Sequence, residues 1–207
     1  MNVLLINGSP NEKGCTYTAL SEVIRILEQE NISTTLFHIG KQPIQGCIGC
    51  GVCRQTGKCI YDEDKVNSCL DLAKKADGII VGSPVYYAGP NGALCAFLDR
   101  LFFASNGTLA FKPAAAIVSS RRAGGPAAFD RLNKYFTISH MPIVSSQYWN
   151  EVHGSMPADV LQDAEGLQTM RSLARNMAWL LRCIQAGQNQ GITYPEKEEI
   201  IRTNFIR

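Results

Sequence analysis

The sequence predicts an α/β protein built as a three-layer, doubly wound sheet of five parallel strands. Short apolar runs without alternation, such as Val3-Leu4-Leu5-Ile6, fit strands covered on both faces. Amphipathic helical stretches alternate with these runs along the chain, which is the pattern of strand-helix-strand crossovers. Loops rich in glycine and hydroxyl groups follow several strands, at the sheet edge where open parallel sheets hold ligands. With 207 residues and 45% hydrophobic content, one domain buries a full core without staples.

In chain order, the first strand spans residues 3–6 and stops at Asn7. The helical stretch 19–30 follows, with Leu20, Val23, Ile24 and Leu27 on one face. A second strand covers 34–39, and its end opens into an irregular insertion at 40–61. Asp62 is the expected cap of a helix over 63–75. The third strand is 78–82, followed by a helix over 93–103, a strand over 114–119 and a helix over 127–139. A fifth strand over 143–146 and a long helix over 164–185 complete the domain, residues 1–190. Residues 191–207 form a polar tail with an apolar end, Phe205-Ile206, expected to dock on a neighbouring subunit.

Between the first strand and its helix lie Gly8, Ser9, Pro10, Asn11, Gly14, Cys15, Thr16, Tyr17 and Thr18. A helix N-terminus gathers unpaired N–H groups and partial positive charge, and a phosphate satisfies both. Ordinary strand-to-helix turns use the same residues, so composition leaves both readings standing. The pattern is neither a Walker loop nor a G-x-G-x-x-G fingerprint. Six positions after Cys15 stands Ser21, where a cysteine-based phosphatase needs arginine. What fits is a phosphate that is held and not transferred.

After the third strand, Ser83, Pro84, Val85, Tyr86, Tyr87, Ala88 and Gly89 form a rigid loop with two aromatics suited to a flat ligand. After the fourth come Ser119, Ser120, Arg121, Arg122, Ala123, Gly124 and Gly125, with a guanidinium available to a ring carbonyl or a phosphate. Taken singly, each loop also reads as a plain covering turn. Trp149 and His153, after the fifth strand, are candidate pocket residues, whereas His38 and His140 read as structural.

The net charge of +2, without a basic run, argues against nucleic acid and anionic membrane as partners. No apolar stretch approaches a membrane span and the N-terminus lacks a secretory pattern, so a cytoplasmic location is expected. In a reducing compartment the eight cysteines are thiols or ligands before they are disulfides. Cys47, Cys50, Cys53 and Cys59, spaced C-x2-C-x2-C-x5-C among glycines, allow the chain to wrap a compact inorganic core. Zinc, disulfides or empty thiols also fit this spacing. Cys69, Cys95 and Cys183 fall in helices and are expected as small buried side chains.

Taken together, Gly8-Ser9-Pro10 with Gly14 and Thr16, Ser83-Pro84-Val85-Tyr86-Tyr87, Phe97-Leu98-Asp99-Arg100 and Gly124-Gly125 resemble the NADPH-dependent FMN reductases, specifically their iron-sulfur flavoprotein branch. The chain departs from the family pattern at Cys15, often asparagine there, and at Asn11, often basic. The resemblance implies a flavodoxin-like fold with strand order 2-1-3-4-5, and FMN held by the loops named above. It further implies hydride transfer from NAD(P)H, an electron acceptor, and a [4Fe-4S] cluster on Cys47, Cys50, Cys53 and Cys59. A homodimer or homotetramer is expected. A flavodoxin-like electron carrier without a substrate pocket, and an FMN-binding protein whose cysteines hold structural zinc or no metal, remain alternatives.

Overall fold

Val3, Leu4, Leu5 and Ile6 are completely buried, because the strand that carries them lies inside the sheet with helices on both faces. In the computed structural model, which describes residues 1–206, that strand is β1 (Asn2–Asn7). It pairs in parallel with β2 (Ser33–His38) on one side and β3 (Gly78–Tyr86) on the other. Beyond β3 lie β5 (Ala114–Ser120) and β6 (Glu151–His153), giving the order β2-β1-β3-β5-β6. Counting only parallel strands, this is the expected 2-1-3-4-5. The short β4 (Gly89–Pro90) folds back antiparallel on the end of β3.

Side-chain alternation divides the interior into two layers. Val3 and Leu5 face α1 (Cys15–Gln29) and α7 (Ala164–Asn189). Leu4 and Ile6 face α3 (Val66–Lys75), α4 (Gly92–Ser105) and α5 (Gly125–Ile138). Two single-turn helices, α2 (Cys53–Thr56) and α6 (Pro157–Val160), lie in the connections. No helix among the described residues is long and apolar enough to cross a membrane.

Several boundaries differ from expectation. The fifth strand is not 143–146. There the chain makes a single bridge, Ile143 to Ala114, leaves the edge, and returns as Glu151–His153. The β-branched Ile143-Val144 pair is the stronger propensity signal, but Asn150 Nδ2 donates to the Ala116 carbonyl at 3.0 Å and re-seats the chain further along. Helix α1 starts at Cys15, four residues early, so Thr16, Tyr17 and Thr18 form its first turn rather than the loop. Asp62 does not cap α3, which begins at Val66; Asp64 Oδ1 accepts from the Val66 amide at 3.0 Å instead. Of the three helical cysteines, Cys69 is buried but Cys183 is exposed.

The described part of the tail, 191–206, is irregular. Tyr194 stacks on Phe111 with centroids 5.0 Å apart, and Gln188 Nε2 donates to its hydroxyl at 2.9 Å. Ile200, Ile201, Phe205 and Ile206 are exposed, and Arg207 lies outside the described residues.

Phe97, on α4, is fully buried and meets Phe37 at 6.1 Å between ring centroids. Phe97→Ala is expected to cost about 3–5 kcal/mol, seen as a lower urea midpoint at unchanged slope.

Candidate functional site

The chain leaves β1 toward β2 on one side and later returns to β3 on the other. The carboxyl ends of β1 and β3 therefore flank a topological switch point, the crevice where open α/β sheets bind ligands. The loop after β1 is held open by local bonds. Asn7, fully buried, donates through Nδ2 to the Glu12 carbonyl at 3.0 Å and accepts from the Ser9 amide at 3.1 Å. Ser9 Oγ accepts from the Asn11 amide at 3.1 Å, and His38 Nε2 donates to the Ser9 carbonyl at 2.8 Å.

Gly14 occupies the N-cap position of α1, no side chain caps the helix, and its first turn holds no acidic residue. The amides of Cys15, Thr16 and Tyr17 donate to no carbonyl among the described residues. An uncapped first turn of this kind presents aligned N–H groups to an anion. The side chains here are mostly engaged. Thr16 Oγ1 shares a 2.8 Å hydrogen bond with Ser119 Oγ, Thr18 Oγ1 donates to the Gly14 carbonyl at 3.2 Å, and Cys15 Sγ reaches the Gly154 carbonyl at 3.6 Å. Burial pushes the Cys15 thiol pKa up, which suits a packing role.

Cross-bonds fix the three loops to one another. Asn91 Nδ2 donates to the Gly8 carbonyl at 2.8 Å, and the Asn91 amide donates to Ser83 Oγ at 3.0 Å. Gly124 has φ +91°, and a Cβ there would lie 2.8 Å from Ala88 Cα and 3.3 Å from Val85 Cγ1. Pro84 and Val85 are half-buried, whereas Tyr86, Tyr87 and Arg121 are exposed. Gly89 pairs with Tyr86 across a two-residue turn in which Tyr87 (φ +50°) and Ala88 (φ +57°) both adopt the left-handed conformation. Such a turn normally selects asparagine or glycine, so two ordinary residues are held against their preference. At the end of β5, Ser120 Oγ is buried without a hydrogen-bond partner among the described residues.

Beyond Gly125, the exposed Trp149 and His153 line a cavity of about 300 Å³ together with Arg122 and Glu151. The Glu151 carboxylate lies over Gly125, where an added Cβ would meet Oε2 at 1.7 Å. Burial raises its pKa, with His153 acting in the opposite direction. Glu151 was not singled out from sequence, because the strand that carries it was placed elsewhere.

The second cluster lies in the 40–61 insertion. Cys47, Cys50, Cys53 and Cys59 line one cavity with Arg100 and Phe103. Gly49 (φ +66°) and Gly51 (φ +75°) make the tight turns that bring successive cysteines to the same opening. Cys53 is buried, and this raises its pKa, with Cys50, Cys59 and Cys47 acting in the same direction. All four cysteines are free thiols. Among the described residues, no three cysteine, histidine or carboxylate side chains gather tightly enough to hold a single metal ion.

The fold, with its crevice at the ends of β1 and β3, is of the flavodoxin type. Residues 1–155 match the NADPH-dependent FMN reductase family, and the chain belongs to it, within the iron-sulfur flavoprotein branch. An iron-sulfur flavoprotein of Methanocaldococcus jannaschii is 31% identical over 89% of this chain and 100% of its own length. One from Methanosarcina thermophila is 24% identical over 92% of this chain and 100% of its own. Among solved structures, RosB with a bound 8-demethyl-8-formylriboflavin-5'-phosphate intermediate superposes with a TM-score of 0.72 at 14% identity, covering 100% of this chain and 92% of that one. FerB, a flavoenzyme NAD(P)H:(acceptor) oxidoreductase of Paracoccus denitrificans, gives 0.63 at 16% identity, over 88% and 97%. Family membership makes the chain an FMN-binding oxidoreductase.

Replacing Ala88 by glycine removes one left-handed penalty, so Ala88→Gly is expected to stabilise the protein by roughly 1 kcal/mol in thermal unfolding.

Proposed function

We propose that the chain takes a hydride from NAD(P)H onto FMN held at the carboxyl edge of the sheet, and passes the electrons to an acceptor through a [4Fe-4S] cluster on Cys47, Cys50, Cys53 and Cys59. The observation that carries the FMN placement is the uncapped first turn of α1 at the switch point, with its three amides open. These amides, with Ser9 and Gly14 beside them, hold the phosphate. Tyr17 and Asn11 border it, and Thr16 with Ser119 ties the helix start to β5. Pro84, Val85, Tyr86, Tyr87 and Gly89 form one wall for the ring, and Arg121, Gly124 and Gly125 the other. FMN supplies the hydride and one-electron chemistry when bound. The chain positions it, excludes water and leaves space for a second ligand. The cavity beside Trp149 and His153 favours an enzyme with a substrate pocket over a pure electron carrier.

Four soft sulfur donors around a common opening suit iron-sulfur chemistry. A structural zinc usually takes two cysteine knuckles separated by a longer stretch, whereas Cys47, Cys50, Cys53 and Cys59 follow one another closely and line one cavity. The exposed apolar tail residues Ile200, Ile201, Phe205 and Ile206 supply a surface for self-association as a dimer or tetramer. A chain ending at Pro195 is expected to show fewer chains per particle by light scattering.

Fluorescence of FMN added to apoprotein is expected to change saturably, at one equivalent per chain, and NADPH is expected to bleach the bound flavin without oxygen. Gly124→Val, whose side chain collides with Ala88, is expected to weaken FMN binding by roughly tenfold, or about 1.4 kcal/mol. Folded protein that takes up no FMN overturns the placement.

A further inference from the structure

Arg100 is 1% exposed, which is costly for a guanidinium unless its donors are satisfied. All of them are. Nη1 donates to the Gln45 carbonyl at 3.2 Å and to the Asp64 carboxylate. Nη2 donates to the Tyr61 carbonyl at 2.8 Å and to the other Asp64 oxygen at 3.1 Å. The remaining donor, Nε–H, reaches Cys59 Sγ at 3.1 Å. The first four bonds are those of an anchor that fastens the 45–64 segment to α4. The fifth goes to a sulfur, a weak acceptor as a thiol and a far better one as a metal-bound thiolate.

We propose that Arg100 is a positioning residue that sets the reduction potential of the iron-sulfur core through its hydrogen bond to Cys59. This rests on the cluster reading above. One-electron reduction of the core, with reduced FMN as donor in the enzyme and dithionite in the experiment, adds negative charge to the sulfurs and leaves every bond at Arg100 intact. An N–H aimed at a ligating sulfur stabilises the more negative, reduced form and raises the potential. Because Asp64 neutralises the guanidinium, the directed N–H contributes more than net charge does.

The test is redox potentiometry of anaerobically purified protein, followed by the electron paramagnetic resonance of the reduced core, with iron and sulfide assayed on each sample. Arg100→Gln is expected to retain iron and to be roughly tenfold less reduced at a given potential, a fall of about 59 mV for one electron. Arg100→Lys, which keeps the charge without the planar fork, is expected to fall between that variant and the wild type. Asp64→Asn weakens the anchor but keeps the donor, and its potential is not expected to fall. Iron-loaded Arg100 variants with the wild-type potential overturn the inference and leave the cluster reading intact. Loss of iron in both Arg100 variants and in Asp64→Asn reduces Arg100 to an anchor and overturns the inference as well. Wild-type protein without iron and sulfide overturns the cluster reading and, with it, the inference.

Discussion

The arrangement of the site depends on the absence of one carbon atom at position 8. A Cβ on Gly8 would lie 2.4 Å from Leu94 Cδ2 and 2.8 Å from the Gly82 carbonyl oxygen. Its absence lets the first turn of α4 press against the end of β1. Asn91 can then reach the Gly8 carbonyl while its amide meets Ser83. One close approach thus fixes the loop after β1, the loop after β3 and the start of α4 in a common frame. Close-packed interiors transmit such a constraint rather than absorbing it.

Much of this was legible in the sequence where a local signal coincided with tertiary demand. The Val3–Ile6 run and the helical face of Leu20, Val23 and Leu27 reported burial directly, and both lie in the core. The loops after β1, β3 and β5 were readable because glycine, proline and hydroxyl groups punctuate strand ends. What stayed hidden was decided at a distance. The edge strand at 151–153 is three residues long with only Val152 buried, too brief for periodicity to reveal, and a side-chain bond from Asn150 selects it. Asp62 was the expected cap; Asp64, which faces Arg100, holds the helix start instead.

The same holds for side-chain roles. Thr16 looked like a phosphate donor, but its hydroxyl is tied to Ser119 across the sheet edge, which leaves its amide for an anion. His38 read as structural, and its bond to the Ser9 carbonyl gives that role an address, the loop after β1. Arg100, met in sequence only as part of a helix motif, proves to be the α4 side chain that grips the cysteine insertion, because the positions of its partners at 45, 59, 61 and 64 are set by the fold.

Helix α4 joins the two regions like a shaft with a keyed end. Leu94 meets Gly8 at one end, and six residues later Arg100 engages the insertion, about 9 Å along the axis and about 600° around it. Adding or deleting a single residue between them would swing one key by about 100° while the other stayed seated. The spacing from Leu94 to Arg100 is therefore a matter of phase.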